Sequence, residues 1–265
     1  MDSALALNSG PSALAAYEAL APFYDRFTAD YEHEPVLEQV EALALEHGLR
    51  GHRLLDVACG TGKSFLPLMR RGYEVTACDI SPGMVELARR KLPRDEATRV
   101  VVADMRALPW RSAFDLVTCV DDAVNYLLTG GDLQAALRSM SAALRPGGVA
   151  VFDVNSLRTY RELFAEDFAV RSGGTVFVWR GRARPDVAPG SLCSAVITVR
   201  SGSGRDRFTS RHVQRHHPRA AIKAACASAP LDLRGVYGVA PSALLVDGAD
   251  EDIHRKLVYV ARKPA

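Results

Sequence analysis

Apolar positions recur at helical spacing between residues 12 and 48: Leu14, Tyr17 and Leu20, then Val36, Leu37, Val40, Leu43 and Leu45. Pro22 and Pro35 punctuate this stretch and Gly48 closes it, which predicts two helices. The period then changes. Short apolar runs at 53–58, 74–78, 99–103, 115–120 and 149–154 read as buried strands, and the helical period returns between them at 63–71, 82–91 and 132–144. Ser81 before Pro82 marks a helix start, a capping side chain with proline in the first turn. Arg145-Pro146-Gly147-Gly148 reads as a stop ahead of the next strand.

Strand and helix in alternation imply parallel βαβ units in a doubly wound α/β sheet, with ligands outside the carboxyl ends of the strands. Residues 168–213 break the rhythm. Runs at 175–179, 193–200 and 207–213, separated by Gly-, Pro- and Ser-containing turns, predict an antiparallel β insertion. A helix at 219–228 and strands at 231–238 and 256–262 complete the chain, and residues 1–10 read as a loose terminus.

The chain has 265 residues, 48% of them hydrophobic and 24% charged, which excludes whole-chain disorder and collagen-like structure. No apolar run approaches the ~18 residues of a membrane span, and the start lacks a basic segment followed by an apolar block. A cytoplasmic protein with no membrane partner is expected. Five widely spaced cysteines without a C-x-x-C pair suggest neither disulfides nor zinc. The net charge of +2 is uneven. Ten arginines between Arg171 and Arg219 face only Asp186 and Asp206, a local excess of +8 that leaves −6 elsewhere. Such a segment can attract nucleic acid; the plainer reading is solvent-facing arginines on antiparallel strands.

The most informative stretch is Leu54-Leu55-Asp56-Val57-Ala58-Cys59-Gly60-Thr61-Gly62, a buried strand running into a glycine turn and a helix. Glycine lets the backbone approach a ligand, and a helix amino end offers free N–H groups. A dinucleotide fingerprint wants a small residue where Phe65 stands, and a P-loop wants glycine where Val57 stands, so both motifs fail. What matches is the D-x-A-C-G-T-G loop, and the chain resembles the class I, Rossmann-like S-adenosylmethionine-dependent methyltransferases over nearly its whole length.

The resemblance implies a mostly parallel seven-stranded sheet at 49–167 and 219–265, an amino-terminal helical lid at 1–48, and the antiparallel insertion at 168–218 as a substrate lid. It assigns Tyr24, Asp56, Ala58, Gly60, Gly62, Asp79, Ile80, Met84, Asp104, Met105 and Val120 to the cofactor, with S-adenosylhomocysteine as product. Asp79 stands where the family's carboxylate accepts both ribose hydroxyls, and Asp104-Met105 where an acidic residue and an apolar neighbour flank adenine. Tyr24-Asp25 resembles the amino-terminal Tyr-Asp element of the small-molecule branch, which includes amino-sugar methylating enzymes. The [D/N]-P-P-[Y/F] signature of enzymes acting on base amino groups is absent from Cys119–Tyr126.

Methyl transfer needs positioning and water exclusion more than a catalytic side chain, and a base only when the nucleophile arrives protonated. Tyr24 and Asp121 are candidates for the catalytic position, and alternation along 211–217 aims His212 and Gln214 to one face, where His212 is the candidate base. Tyr31, His33, Asp122, Asn125, Tyr126 and Asn155 are candidates for binding the acceptor, a small molecule methylated on nitrogen or oxygen. No carboxylate or cysteine completes a metal set with the histidines at 212–217. A monomer or homodimer is expected. The rivals are a catalytically silent cofactor-binding partner subunit, a nucleic-acid-directed methyltransferase and, more remotely, a nicotinamide oxidoreductase.

Overall fold

The computed structural model describes residues 13–97, 99–201 and 206–265, so the expected loose terminus at 1–10 lies outside the described residues. The chain opens with α1 (Ala13–Leu20), a 3-10 turn at Ala21–Phe23, α2 (Tyr24–Phe27) and α3 (Glu34–Glu46). The amino-terminal region is thus three helical segments where two were expected, because the chain tightens into the 3-10 turn at Pro22 and breaks again before Glu34. There follow β1 (Arg53–Val57), α4 (Leu66–Arg70), β2 (Glu74–Asp79), α5 (Pro82–Arg89), α6 (Arg94–Ala97), β3 (Val100–Val102), β4 (Phe114–Cys119), α7 (Gly130–Ala143) and β5 (Leu144–Asn155). After α8 (Leu157–Arg161) come β6 (Asp167–Ser172), β7 (Thr175–Gly181), β8 (Leu192–Ser201) and β9 (Asp206–Arg215). The chain ends with α9 (Arg219–Ser228), β10 (Asp232–Val239), β11 (Leu245–Val246) and β12 (Lys256–Arg262).

The main sheet has the order β11-β10-β12-β5-β4-β1-β2-β3. β5, β4, β1, β2 and β3 run parallel; β12 pairs antiparallel with β5, β10 pairs antiparallel with β12 and so runs along the parallel set, and β11 pairs antiparallel with β10. The switch point falls between β1 and β4. The sheet has eight strands where seven were expected. The extra one, β11, pairs two residues with Gly238 and Val239 and is too short to show a period. β5 starts at Leu144 and runs through the Arg-Pro-Gly-Gly stretch expected to precede it; a register shift between Phe114 and Leu116 of β4 absorbs those residues.

Alternation along the central strands supplies both faces. Leu55, Val57, Val117, Cys119, Ala150 and Phe152 point to one side, where Leu137 and Met140 of α7 and Ile222 of α9 cover them. Leu54, Leu116, Val149 and Val151 point to the other, under Leu37 and Val40 of α3 and Val85 of α5. All five cysteines are buried and free. Among the described residues no helix is long and apolar enough to cross a membrane.

The expected insertion is a separate antiparallel sheet of order β6-β7-β8-β9. One face buries Phe177, Trp179, Cys193, Ala195 and Ile197, and Leu20 of α1 joins this cluster. On β9 the same face carries Ser210, His212 and Gln214, which pair across from Ile197, Ala195 and Cys193 and are all buried. Ser210 Oγ donates to Ala16 O (2.9 Å), and Asn125 Nδ2 donates to Arg215 O (2.9 Å), so β9 is fastened to α1 and to the segment after β4.

Candidate active site

The turn after β1 takes left-handed backbone at Ala58 (φ 58°), Gly60 (52°) and Gly62 (92°). A Cβ on Gly62 would stand 2.9 Å from Phe65 Cζ, so the phenylalanine that breaks the dinucleotide fingerprint fills the space beside this glycine. Gly60 N–H donates to Asp79 Oδ2 (2.9 Å) and Ser81 N–H to Oδ1 (2.8 Å), which aims the carboxylate across the turn. Burial raises the Asp79 pKa above the ordinary carboxylate range, against the backbone N–H bonds from Ser81, Gly60 and Ile80. Asp56 lies beneath. Both its oxygens are taken, by Thr118 Oγ1 (2.7 Å) and Ser64 Oγ (2.5 Å), and burial pushes its pKa up to about 7.

The amino-terminal helices are tied to this turn. Thr61 Oγ1 donates to Asp25 Oδ1 (2.5 Å), and Lys91 pairs with Asp25 (2.8 Å). Glu18 of α1 accepts from Ser81 Oγ (2.6 Å) and Gly83 N (3.0 Å) at the start of α5. Tyr24 is thereby laid over Gly60; a Cβ there would be 3.7 Å from its ring.

At the end of β4, Asp121 (φ 62°) and Asp122 (φ 55°) are both left-handed, a strained pair of the kind found where function positions side chains. Asp153 at the end of β5 holds them, accepting from the N–H of Asp121 (3.0 Å) and of Asp122 (2.5 Å). Lys256 lies 3.0 Å from Asp122, 3.4 Å from Asp153 and 3.9 Å from Asp121. Burial lowers its pKa, but the three carboxylates outweigh burial and hold it well above the ordinary lysine value. His33 Nε2 donates to Asp121 Oδ2 (2.7 Å). Burial raises the Asp121 pKa, and the bond from His33 and the charge of Lys256 outweigh it, so this carboxyl sits below its ordinary value. Gln214 Nε2 donates to Asp122 Oδ2 (2.6 Å), joining the second sheet to this cluster.

His212 stands in an aromatic cage, with ring centroids 5.4 Å from Tyr17 and 6.1 Å from Tyr126. The Ser210 hydroxyl spends its proton on Ala16 O, so it accepts from His212 Nε2 (2.8 Å). Nδ1 is then the bare nitrogen and accepts from Tyr126 OH (2.9 Å). Burial drops the His212 pKa to about 4. The histidine expected as a base reaches the site with both nitrogens engaged and little affinity for a proton at neutral pH.

Two cavities meet here. The first is lined by the turn residues with Asp79, Ile80, Met105 and Val120. The second, the larger, lies under the antiparallel sheet. Tyr17, Tyr24, His33, Asp121 and Tyr126 wall both. A third hollow shares Ala58, Ile80 and Met105 with the first and carries Asp104.

The methyltransferase domain family matches residues 54–148 of this chain. YqeM of Bacillus subtilis strain 168, named provisionally as a methyltransferase, is 30% identical over 204 residues, which are 76% of this chain and 81% of YqeM. The chain belongs to the class I methyltransferases. A solved S-adenosylmethionine-dependent methyltransferase from Clostridium acetobutylicum shares the fold, with a TM-score of 0.76 at 24% identity, over 94% of this chain and 99% of that one. An amino-sugar relative from Saccharopolyspora spinosa, dTDP-4-amino-2,3,4,6-tetradeoxy-D-glucose N,N-dimethyltransferase, is 38% identical over 101 residues. That match spans 38% of this chain and 39% of the relative. S-adenosylmethionine is the cofactor of the family.

Within this methyltransferase most of the anticipated residues gather at the paired cavities. Ala58, Gly60, Asp79, Ile80, Met105, Val120, Tyr24 and Asp121 line the first, and Tyr31, His33, Asp122, Tyr126, Asn155 and His212 the second. Five do not reach either wall. Asp56 and Met84 are buried behind it, Gly62 shapes the turn, and Asn125 is spent on Arg215 O and Asn155 N. Asp104 is drawn into ion pairing with Arg106 (2.6 Å) at the edge of the third hollow. Tyr17, Gln214, Lys256 and Trp179 belong to the site and were not anticipated as site residues. Lys256 meets Asp122 across 134 positions of sequence, a separation at which no local pattern signals contact.

Proposed function

We propose that this methyltransferase moves a methyl group from S-adenosylmethionine to a nitrogen or oxygen of a small molecule seated in the cavity beyond Asp121. The observation that carries this reading is the common wall of Tyr17, Tyr24, His33, Asp121 and Tyr126 between the turn cavity and the larger one. The residues at the turn fit the cofactor: Asp79 is aimed across the turn by backbone N–H groups and its carboxylate suits the hydroxyls of a ribose. Ile80 and Met105 offer an apolar seat for a base, with Asp104 at its rim, and Ala58, Gly60 and Val120 leave room for the amino-acid portion. When bound, the cofactor supplies a methyl carbon to the acceptor's lone pair while the C–S electron pair stays on sulfur, giving S-adenosylhomocysteine.

The chain's own contribution is positioning and charge. Asp121, Asp122 and Asp153 outnumber Lys256, so the junction of the cavities favours a sulfonium and an approaching amine. Tyr24 covers the junction, and the amino-terminal helices and the antiparallel sheet act as lids that exclude water. His212 holds the Tyr126 hydroxyl in one orientation and takes no proton itself. The acceptor is a secondary metabolite; an amino sugar, by analogy with the Saccharopolyspora relative, is one class of acceptor the test includes. Monomeric or homodimeric action in the cytoplasm, without nucleic acid, belongs to the same proposal. The test is S-adenosylhomocysteine formation over a panel of amines and hydroxylated metabolites. Release above the acceptor-free background supports the reading; a panel-wide failure by protein that binds the cofactor would sink it.

A further inference from the structure

The larger cavity is chemically divided. Its polar groups gather where it joins the first cavity, around Asp121, Asp122 and Lys256, whereas Phe27, Leu163, Phe164, Phe168, Trp179 and Ile197 supply apolar wall. Phe168 stacks on Trp179 (5.7 Å between centroids, 19° between planes), and Phe164 meets Trp179 edge-on (5.2 Å, 87°). Trp179 spends its one donor on Leu163 O (2.9 Å), so its ring offers a π surface and no hydrogen bond. Hydroxyl groups laid against this wall would exchange water for hydrocarbon without a partner.

The charges point the same way. Among the described residues lining this cavity there is no arginine, and its cation, Lys256, is committed to Asp122 and Asp153. Arg180 and Arg211 of the second sheet are turned away, since Arg180 follows inward-facing Trp179 and Arg211 precedes inward-facing His212. A diphosphate would meet carboxylates where it needs guanidinium or ammonium partners. An amine on an aromatic body satisfies both ends at once. The acidic junction draws it in as an ammonium, whose proton passes to a junction carboxylate or to water to free the lone pair that takes the methyl, and its ring lies on the Phe168–Trp179 wall.

We infer that the acceptor is an amphiphilic amine with an aromatic or otherwise apolar body, carrying no phosphate. This rests on the proposed methyl transfer and names its substrate class. The test is calorimetric titration of protein already saturated with S-adenosylhomocysteine, using 2-(2-naphthyl)ethylamine, glucosamine and a dTDP-linked amino sugar as probes. The naphthyl amine should bind at least about tenfold more tightly than either sugar. Trp179→Ala should weaken it by about tenfold or more, and so should Phe168→Ala, a milder change at a half-buried position of an edge strand. Sugar binding equal to or tighter than the amine overturns the inference. So does absent amine binding, or amine binding indifferent to both substitutions. Failure of the wild-type protein to bind S-adenosylhomocysteine is read before any amine is added and counts against the proposed function instead.

Discussion

Replacing Asp79 by alanine removes the acceptor around which the turn is built. The carboxylate is 7% exposed and receives an N–H on each oxygen, from Gly60 at 2.9 Å and Ser81 at 2.8 Å. It is the partner proposed for the two ribose hydroxyls. A hydrogen bond to a charged group contributes about 1.5–3 kcal/mol, so losing two at the lower value costs about 3 kcal/mol, or about 100-fold in affinity. Titration calorimetry with S-adenosylmethionine on Asp79→Ala should show this loss. The Gly60 and Ser81 N–H groups also lose their partner, so the variant's own stability falls, and melting of the cofactor-free protein separates that effect from the lost contacts. Asp79→Asn keeps one acceptor and should recover part of the affinity. Cofactor affinity for Asp79→Ala within about threefold of wild type, where about 100-fold is expected, would refute the reasoning.

Asp56 should make the fold less stable as the pH rises. Its pKa is about 7 folded against 3.8 unfolded, so the native state holds the proton longer and the group's stabilisation, full below pH 3.8, is lost on rising to about 7. The isosteric Asp56→Asn should flatten the decline in melting temperature between about pH 5 and 8, and an unchanged slope would contradict the assignment. The ring resonances of His212 in NMR should stay those of neutral imidazole until about pH 4; a midpoint above the ordinary 6.5 would remove the tautomer derived from Ser210 and Tyr126. Gly62→Ala and Gly72→Ala both place a side chain at φ +92°, but only the first meets Phe65, at 2.9 Å, while the second finds nothing within 4 Å. Gly62→Ala should therefore cost about 1–3 kcal/mol more in denaturant unfolding, and equal losses would argue against the tight turn. RNA binding should be weak and without the steep salt dependence of a phosphate-reading surface; a steep negative slope would revive the nucleic-acid reading of the arginines.

Much of the sheet was legible because its strands are buried on both faces and separated by helical periods. β12 and α9 have the expected ranges, and the expected strands at 53–58 and 115–120 differ from β1 and β4 by a residue at their ends. Local signals also placed the turn, since glycines at 60 and 62 are what its left-handed backbone requires. α4 was misjudged at its start: the pattern predicts a helix from 63, but the turn that carries Gly62 continues to Phe65 before the helix begins at Leu66. The acceptor side was less legible. Tyr17 fits an apolar helical stripe, and only the fold turns it toward Tyr24, Tyr126 and His212. His212 was aimed correctly by alternation along β9, but its role depended on Ser210 and Tyr126, whose bonds decide which nitrogen holds the proton. Asp56 carries the motif's acidic position yet braces β1 to β4 through Thr118, a duty that spacing cannot distinguish from ligand binding.

The most direct test of the account is a crystal structure with S-adenosylhomocysteine. The account predicts both ribose hydroxyls on Asp79, the base between Ile80 and Met105, and the sulfur facing the junction of Tyr24 and Asp121 with the larger cavity. A ligand whose sulfur points away from that cavity, or whose ribose does not touch Asp79, would contradict it.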